Sequence, residues 1–168
     1  AMMGDADKTG AFLEKMADFF RYNVRKMEED AMLWEEVEAV DNYIYILNVR
    51  FAGDITYIKE VDEGIENIRI PSMILQPLVE NAIIHGIRKN GGCGTVVIGV
   101  KKEDGYTRVW VENDGIAIDL DVIKKVYSGE MPDNKIGLYN VHLRLKLIYG
   151  QGLNIYRLDP GTKMEFYI

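Results

Sequence analysis

Three short stretches carry residue types suited to holding a charged ligand. In Leu75-Gln76-Pro77-Leu78-Val79-Glu80-Asn81-Ala82-Ile83-Ile84-His85-Gly86, helical spacing puts Leu75, Val79, Ala82, Ile83 and Gly86 on a side that can pack on a sheet. Asn81, His85 and Arg88 then fall at i, i+4 and i+7 on another side. A solvated helix face needs only charges, and an uncharged Asn beside His and Arg departs from that. A plain surface stripe nevertheless accounts for the spacing. Val111-Glu112-Asn113-Asp114-Gly115-Ile116-Ala117 ends an expected strand in a polar pair and a glycine, where backbone can turn sharply and approach a flat ligand. Ile136-Gly137-Leu138-Tyr139-Asn140-Val141 opens an expected helix, and free N–H groups at a helix N-terminus suit phosphate oxygens. A turn glycine or a capping glycine explains either of the last two alone. All three together, in this order, are harder to explain that way.

The elements that must position these residues follow from periodicity. Phe12, Met16, Phe19, Phe20, Val24 and Met27 recur at helical intervals, as do Leu33, Val37, Val40, Tyr43, Ile44, Leu47 and Phe51. Glu28-Glu29-Asp30 separates the two patterns, and Gly53 is the expected stop of the second. Residues 55–61 and 68–70 read as strands, and 72–86 as a helix. Residues 95–101 and 106–113 flank Glu103-Asp104-Gly105, a hairpin signal. Then come a helix over 119–127, a polar loop over 128–135, a helix over 136–149, and two strands over 153–158 and 163–168. Strand pairs with helices between them predict an α+β layer sandwich.

Composition narrows the functional classes. Hydrophobic residues make up 48% and charged residues 28% of 168, which describes a globular chain with a real core. A net charge of −7 argues against nucleic acid held by a generally basic surface, so any phosphate is held locally. A single cysteine, Cys93, rules out an internal disulfide and, with two histidines, leaves too few ligands for structural zinc. Ala1-Met2-Met3 reads as an added start at an internal boundary. No apolar run reaches the roughly 20 residues of a membrane span. The expectation is a cytoplasmic protein or the cytoplasmic part of a larger one.

The motifs resemble a known family. The run from Gln76 to Gly86 resembles the N box of the LytS/YesM-like sensor histidine kinases, and Asn113-Asp114-Gly115 resembles their G1 box. The run Ile136-Gly137-Leu138-Tyr139-Asn140-Val141-His142-Leu143-Arg144-Leu145, followed by Tyr149-Gly150, resembles their G2 box and its helix. A helix ending Phe20-Arg21-Tyr22-Asn23 resembles the second helix of their dimerisation element.

That resemblance implies a Bergerat-type ATP-binding fold, a mixed and mostly antiparallel sheet under helices, preceded by a helical segment. Residues 1–30 would belong to the dimerisation and acceptor element and 31–168 to the ATP-binding catalytic domain. Asn81 would help hold Mg²⁺, which prefers oxygen ligands, with Glu80 beside it in a polar or proton-handling role. Asn113 would face the adenine amino group with Asp114 next to it, and Gly115 and Ala117 would pack on the base. His85, Arg88, Lys135 and the backbone at Gly137 and Leu138 would lie near the ATP phosphates, under a lid formed by 128–135.

The resemblance further implies a homodimer in the full-length kinase, a response-regulator receiver domain as partner, and attachment to a bacterial inner or plasma membrane only through an N-terminal region outside this sequence. The phosphoacceptor histidine lies upstream in the family, and His85 and His142 both fall within the nucleotide motifs. Three departures bear on activity. Asn113 stands where Bergerat folds usually have Asp, Ala117 replaces the second G1 glycine, and Lys135 replaces the first G2 glycine. They leave open a degenerate nucleotide-binding or scaffold module. An anti-sigma-type serine kinase is a further alternative, which the Phe12–Met27 helix disfavours.

Overall fold

The computed structural model describes residues 2–25, 30–51 and 54–168. The chain forms two compact units, one of residues 1–54 with 64–76 and one of 55–63 with 77–168. Met27, the link residues Glu28 and Glu29, and the expected stop at Gly53 lie outside the described residues.

In the first unit, α1 (Met2–Arg25) packs on α2 (Leu33–Arg50). The Phe19 ring stacks on Tyr43 at 5.5 Å. The predicted apolar faces are realised unequally. On α2, Leu33, Val37, Val40, Ile44 and Leu47 are all buried, whereas on α1 Phe20 and Val24 are exposed. An apolar stripe of that width has more surface than one neighbouring helix can cover. Two short strands, β1 (Asp30–Met32) and β3 (Arg69–Pro71), pair antiparallel, Ala31 opposite Ile70. β1 was not expected, because three residues are too few to show a period.

Glu36 of α2 is the pivotal polar residue of this unit. Its carboxylate is buried, and it accepts the N–H groups of Met73, Ile74 and Leu75 at 2.7, 2.9 and 2.9 Å. The Tyr22 hydroxyl donates to it as well. Leu75 opens α3 (Leu75–Glu80), so the carboxylate satisfies donors that a helix start would leave unpaired.

The second unit holds a five-stranded sheet. Its strands are β2 (Asp54–Val61), β4 (Cys93–Glu103), β5 (Tyr106–Asn113), β6 (Asn154–Leu158) and β7 (Gly161–Tyr167), in the order β2-β4-β5-β7-β6. The β4–β5, β5–β7 and β6–β7 pairs are antiparallel. Alternation assigns one face to the core: Val96, Ile98, Val100, Val109, Val111, Met164 and Phe166 are fully buried. The segment after α3 packs on that face, against β4, β5 and β7. On the other face, Trp110 lies between the cations of Arg108 and Lys163, 5.0 and 5.3 Å from its ring centre. Helices α4 (Leu120–Ser128) and α5 (Ile136–Tyr149) complete the unit. No helix among the described residues is long and apolar enough to cross a membrane.

Candidate functional site

The sequence predicts one α-helix over 72–86, but the structure divides it. After α3 the backbone loosens into a π-helical turn, Asn81–Ile87, then tightens into a 3₁₀ turn, Arg88–Asn90. The Arg88 N–H donates to Ile83 O, five residues back. A looser turn changes the phase of the side chains. Asn81, His85 and Lys89 therefore line one cleft, while Arg88 is exposed and stands outside that lining. Gly86 explains what the looser turn achieves. A Cβ there would sit 2.4 Å from Asn113 Nδ2, and one on Gly115 would sit 2.3 Å from the Gly86 carbonyl carbon. With both residues glycine the two backbones meet, and the Ile116 N–H donates to Gly86 O at 3.1 Å.

Asn113 sits beneath this contact. It is the last inward-facing residue of β5, opposite Val96 on one side and Thr162 on the other. Its side chain is 2% exposed, and neither Nδ2 nor Oδ1 has a hydrogen-bond partner. Asp114, grouped with it in the sequence, goes elsewhere. Its carboxylate is exposed and accepts the Thr95 N–H at 2.7 Å, closing the end of the β4–β5 ladder. One residue along a strand reverses the side-chain direction, which separates the two.

The cleft encloses about 110 Å³ and is lined by Asn81, His85, Lys89, Ala117, Asp119 and Lys135, with Gly86, Thr162 and the aliphatic residues 116, 118 and 122. Thr162 is held by the Ile118 N–H, which donates to its Oγ1 at 2.9 Å. Lys135, the residue before α5, extends Nζ to Asn81 Oδ1 at 2.6 Å. Burial holds its pKa down to about 8, helped by Lys89 and opposed by Asp119. The imidazole of His85 is also held below its ordinary value, by burial first and then by Lys135 and Lys89. Basic groups thus outnumber the single lining acid, Asp119, in a polar recess.

The loop 129–135 is held at its start by α5 and turns on itself at its end. The Tyr139 hydroxyl donates to Gly129 O at 2.8 Å, and the Lys135 N–H to Pro132 O at 3.4 Å. The rest of the predicted set is placed less directly. Glu80 is half-buried outside the lining. Gly137 rests on Pro77, where a Cβ would lie 3.3 Å from the ring, and Leu138 is buried in the core.

Sequence reasoning missed Lys89, Asp119 and Thr162. Lys89 stands four residues after His85, so a loosened helix would have revealed it. Thr162 reaches the site only through its pairing with β5, which no local spacing announces.

Residues 1–55 match the family model described as histidine kinase, and residues 66–168 match that described as histidine kinase-, DNA gyrase B- and HSP90-like ATPase. The chain is similar to sensor histidine kinase YpdA of Escherichia coli (strain K12), 44% identical over 163 residues, which cover 96% of this chain and 29% of that protein. It is also similar to sensor protein LytS of Oceanobacillus iheyensis, 30% identical over 172 residues, covering 98% of this chain and 29% of that one. The chain thus spans under a third of these relatives. Among solved structures, the catalytic domain of histidine kinase ThkA shares the fold with a TM-score of 0.57 at 23% identity, over 83% of this chain and 94% of that one. Histidine kinase ThkA in complex with response regulator protein TrrA matches with a TM-score of 0.54 at 21% identity, over 93% of this chain and 47% of that one. The chain belongs to the histidine kinase-, DNA gyrase B- and HSP90-like ATPase family, and it carries the ATPase catalytic domain of a LytS/YesM-like sensor histidine kinase.

Proposed function

We propose that the second unit binds ATP in the Asn81–Lys135 cleft and passes its γ-phosphoryl group to a histidine other than His85 and His142, for onward transfer to a response-regulator receiver domain. The observation that carries this reading is Asn113. A buried amide with no partner costs about 1–3 kcal/mol, and a flat base carrying an amino group beside a ring nitrogen would satisfy both its oxygen and its NH₂. Gly86 packs on Asn113 and, with Ala117, lines the cleft, so the base would reach the amide past Gly86. His85, Lys89 and Lys135 supply charge for the phosphates, Lys89 in the role that the sequence suggested for Arg88.

Asn81 Oδ1 is the hard oxygen in the cleft that would hold Mg²⁺ together with the nucleotide phosphates, once it releases Lys135 Nζ. Bound there, the ion would neutralise charge on the transferring group. The cleft is smaller than the roughly 300 Å³ at which ligand pockets begin, so loop 129–135 acts as a lid that opens to admit the nucleotide.

The histidines of this chain support an acceptor elsewhere. His142 is buried, and its Nδ1 accepts the Leu153 N–H at 3.1 Å, which occupies the one free ring lone pair of the neutral imidazole. Residues 1–55, which match the histidine kinase model, contain no histidine. Residues 1–30 would serve the dimerisation and acceptor element, and 31–168 the ATP-binding domain. The exposed Leu13, Phe20, Val24 and Trp34 of the first unit offer apolar surface for a homodimer. In this reading the chain works on the cytoplasmic side of a bacterial membrane. A second reading, a nucleotide-binding scaffold of low activity, draws on the hydrogen bond from Lys135 to Asn81.

The test is phosphotransfer. With labelled ATP and Mg²⁺, the chain alone should form no acid-labile phosphohistidine. A separately made upstream acceptor segment should be labelled slowly and in proportion to its concentration, because sharing one dimer is worth an effective concentration on the order of millimolar. Label on His85 or His142 would contradict the reading. ATP binding without transfer at any concentration would favour the scaffold.

A further inference from the structure

The shortest polar contact in the cleft joins Lys135 Nζ to Asn81 Oδ1, at 2.6 Å. That oxygen is the one the proposed function gives to a divalent cation. An ammonium at hydrogen-bond distance and a metal ion at about 2.0–2.1 Å cannot share it without two positive charges in close repulsion. Asp119 offsets such repulsion only in part, against three basic side chains. Lys89 and His85 line the same recess, and Asp119 is its single acid.

Lys135 is well placed to serve as the alternative cation. Its backbone is fixed at the start of α5, its N–H on Pro132 O and its carbonyl receiving the Tyr139 N–H at 3.1 Å. Its four-carbon stem lets the ammonium swing to a phosphate oxygen while that backbone stays in place. A lysine binds phosphate as a point charge, without the fixed geometry that an arginine fork needs.

We propose that Lys135 determines the cation requirement of this cleft: it competes with a divalent ion for Asn81 Oδ1 and acts as the first counter-cation of the nucleotide phosphates, so that Mg²⁺ adds little to ATP affinity. The inference rests on the ATP-binding reading. Its consequence is a cleft that accepts metal-free nucleotide, which a site relying on Asn81 and metal alone would bind poorly.

The experiment is equilibrium binding of ATP to the wild-type chain, Lys135→Met and Lys135→Arg, each in excess Mg²⁺ and in EDTA. Melting temperatures verify that each variant is folded, and Lys135→Gln replaces the Met variant if it is not. Removing one charge-assisted contact should weaken metal-free ATP binding by about tenfold in Lys135→Met, and Mg²⁺ should restore most of it. Wild type and Lys135→Arg should change by less than about threefold between the two conditions. Equal Mg²⁺ dependence in wild type and Lys135→Met would overturn the inference and leave the ATP reading standing. Absence of ATP binding in every protein and condition would overturn both.

Discussion

Glu36 in the first unit and Asn113 in the second are each 2% exposed, yet they have opposite surroundings. Glu36 accepts three backbone N–H groups and a tyrosine hydroxyl. The Asn113 side chain makes no hydrogen bond, and among the described residues no other side chain leaves two buried polar atoms unpaired. Folding tolerates a buried charge when its partners come from the chain itself, because the bonds offset desolvation. The isolated amide gains nothing comparable from the fold. The fully bonded group is architecture, and the unbonded one is the group that the proposed function gives to a ligand.

The largest effect should come from breaking the satisfied member. Glu36→Ala orphans the N–H groups of Met73, Ile74 and Leu75, and should cost the first unit about 3 kcal/mol or more. Trp34 and Trp110 lie in different units, so urea unfolding followed by fluorescence in a Trp110→Phe background reports on the first unit. An unchanged midpoint would mean that the carboxylate is not structural.

Gly86→Ala attacks the other member from above. Its Cβ would press on Asn113 Nδ2, and overpacking of this kind costs about 1–3 kcal/mol. Thermal melting and ATP titration should show both a less stable chain and weakened binding. Binding at wild-type strength would show that Asn113 is not aimed past Gly86.

His142 is a third buried polar group, satisfied only when neutral. Its pKa is depressed by burial first and by Lys146 second, so the unfolded chain takes up the proton before the folded one does. Stability should be level above about pH 6.5 and fall as pH drops below that value toward the depressed folded pKa. His85, shifted the same way by burial, Lys135 and Lys89, adds in the same window. His142→Gln should flatten part of the fall, and an unaltered profile would remove His142 from the account.

The smallest change replaces the neutral acceptor by a charged one. Asn113→Asp should tighten ATP by about 1 kcal/mol, read by calorimetry. It should also lower the stability of the free chain, because the carboxylate is buried without a partner. Unchanged affinity would mean that the Asn113 oxygen does not face the ligand.

The parts legible in the sequence were those governed by local period. The α2 face, the β4–β5 hairpin and the start and stop of α5 follow from spacing and a terminal glycine. So did Asn81 and His85 as neighbours on one helix face, whereas Ala117 was legible only through the family resemblance. The π turn at Asn81 was not legible, because hydrogen bonds five residues apart leave no composition signal, and that slip exchanged Arg88 for Lys89. Phe20 and Val24 belong to the helical apolar pattern yet are exposed, since a pattern reports apolarity and not which neighbour covers it. The contact of Lys135 with Asn81 spans 54 residues, beyond the reach of any helix or strand period.

The central claim, that Asn113 is unbonded because a base completes it, is tested most directly by replacing it with a leucine of similar size. ATP titrations and thermal melts of wild type and Asn113→Leu read the two consequences together. Losing an unpaired amide from an apolar face should leave the free chain as stable or up to about 2 kcal/mol more stable. The same change should weaken ATP binding by about tenfold or more, since the base then meets no polar partner. A destabilised Asn113→Leu chain that binds ATP as tightly as wild type would contradict the account.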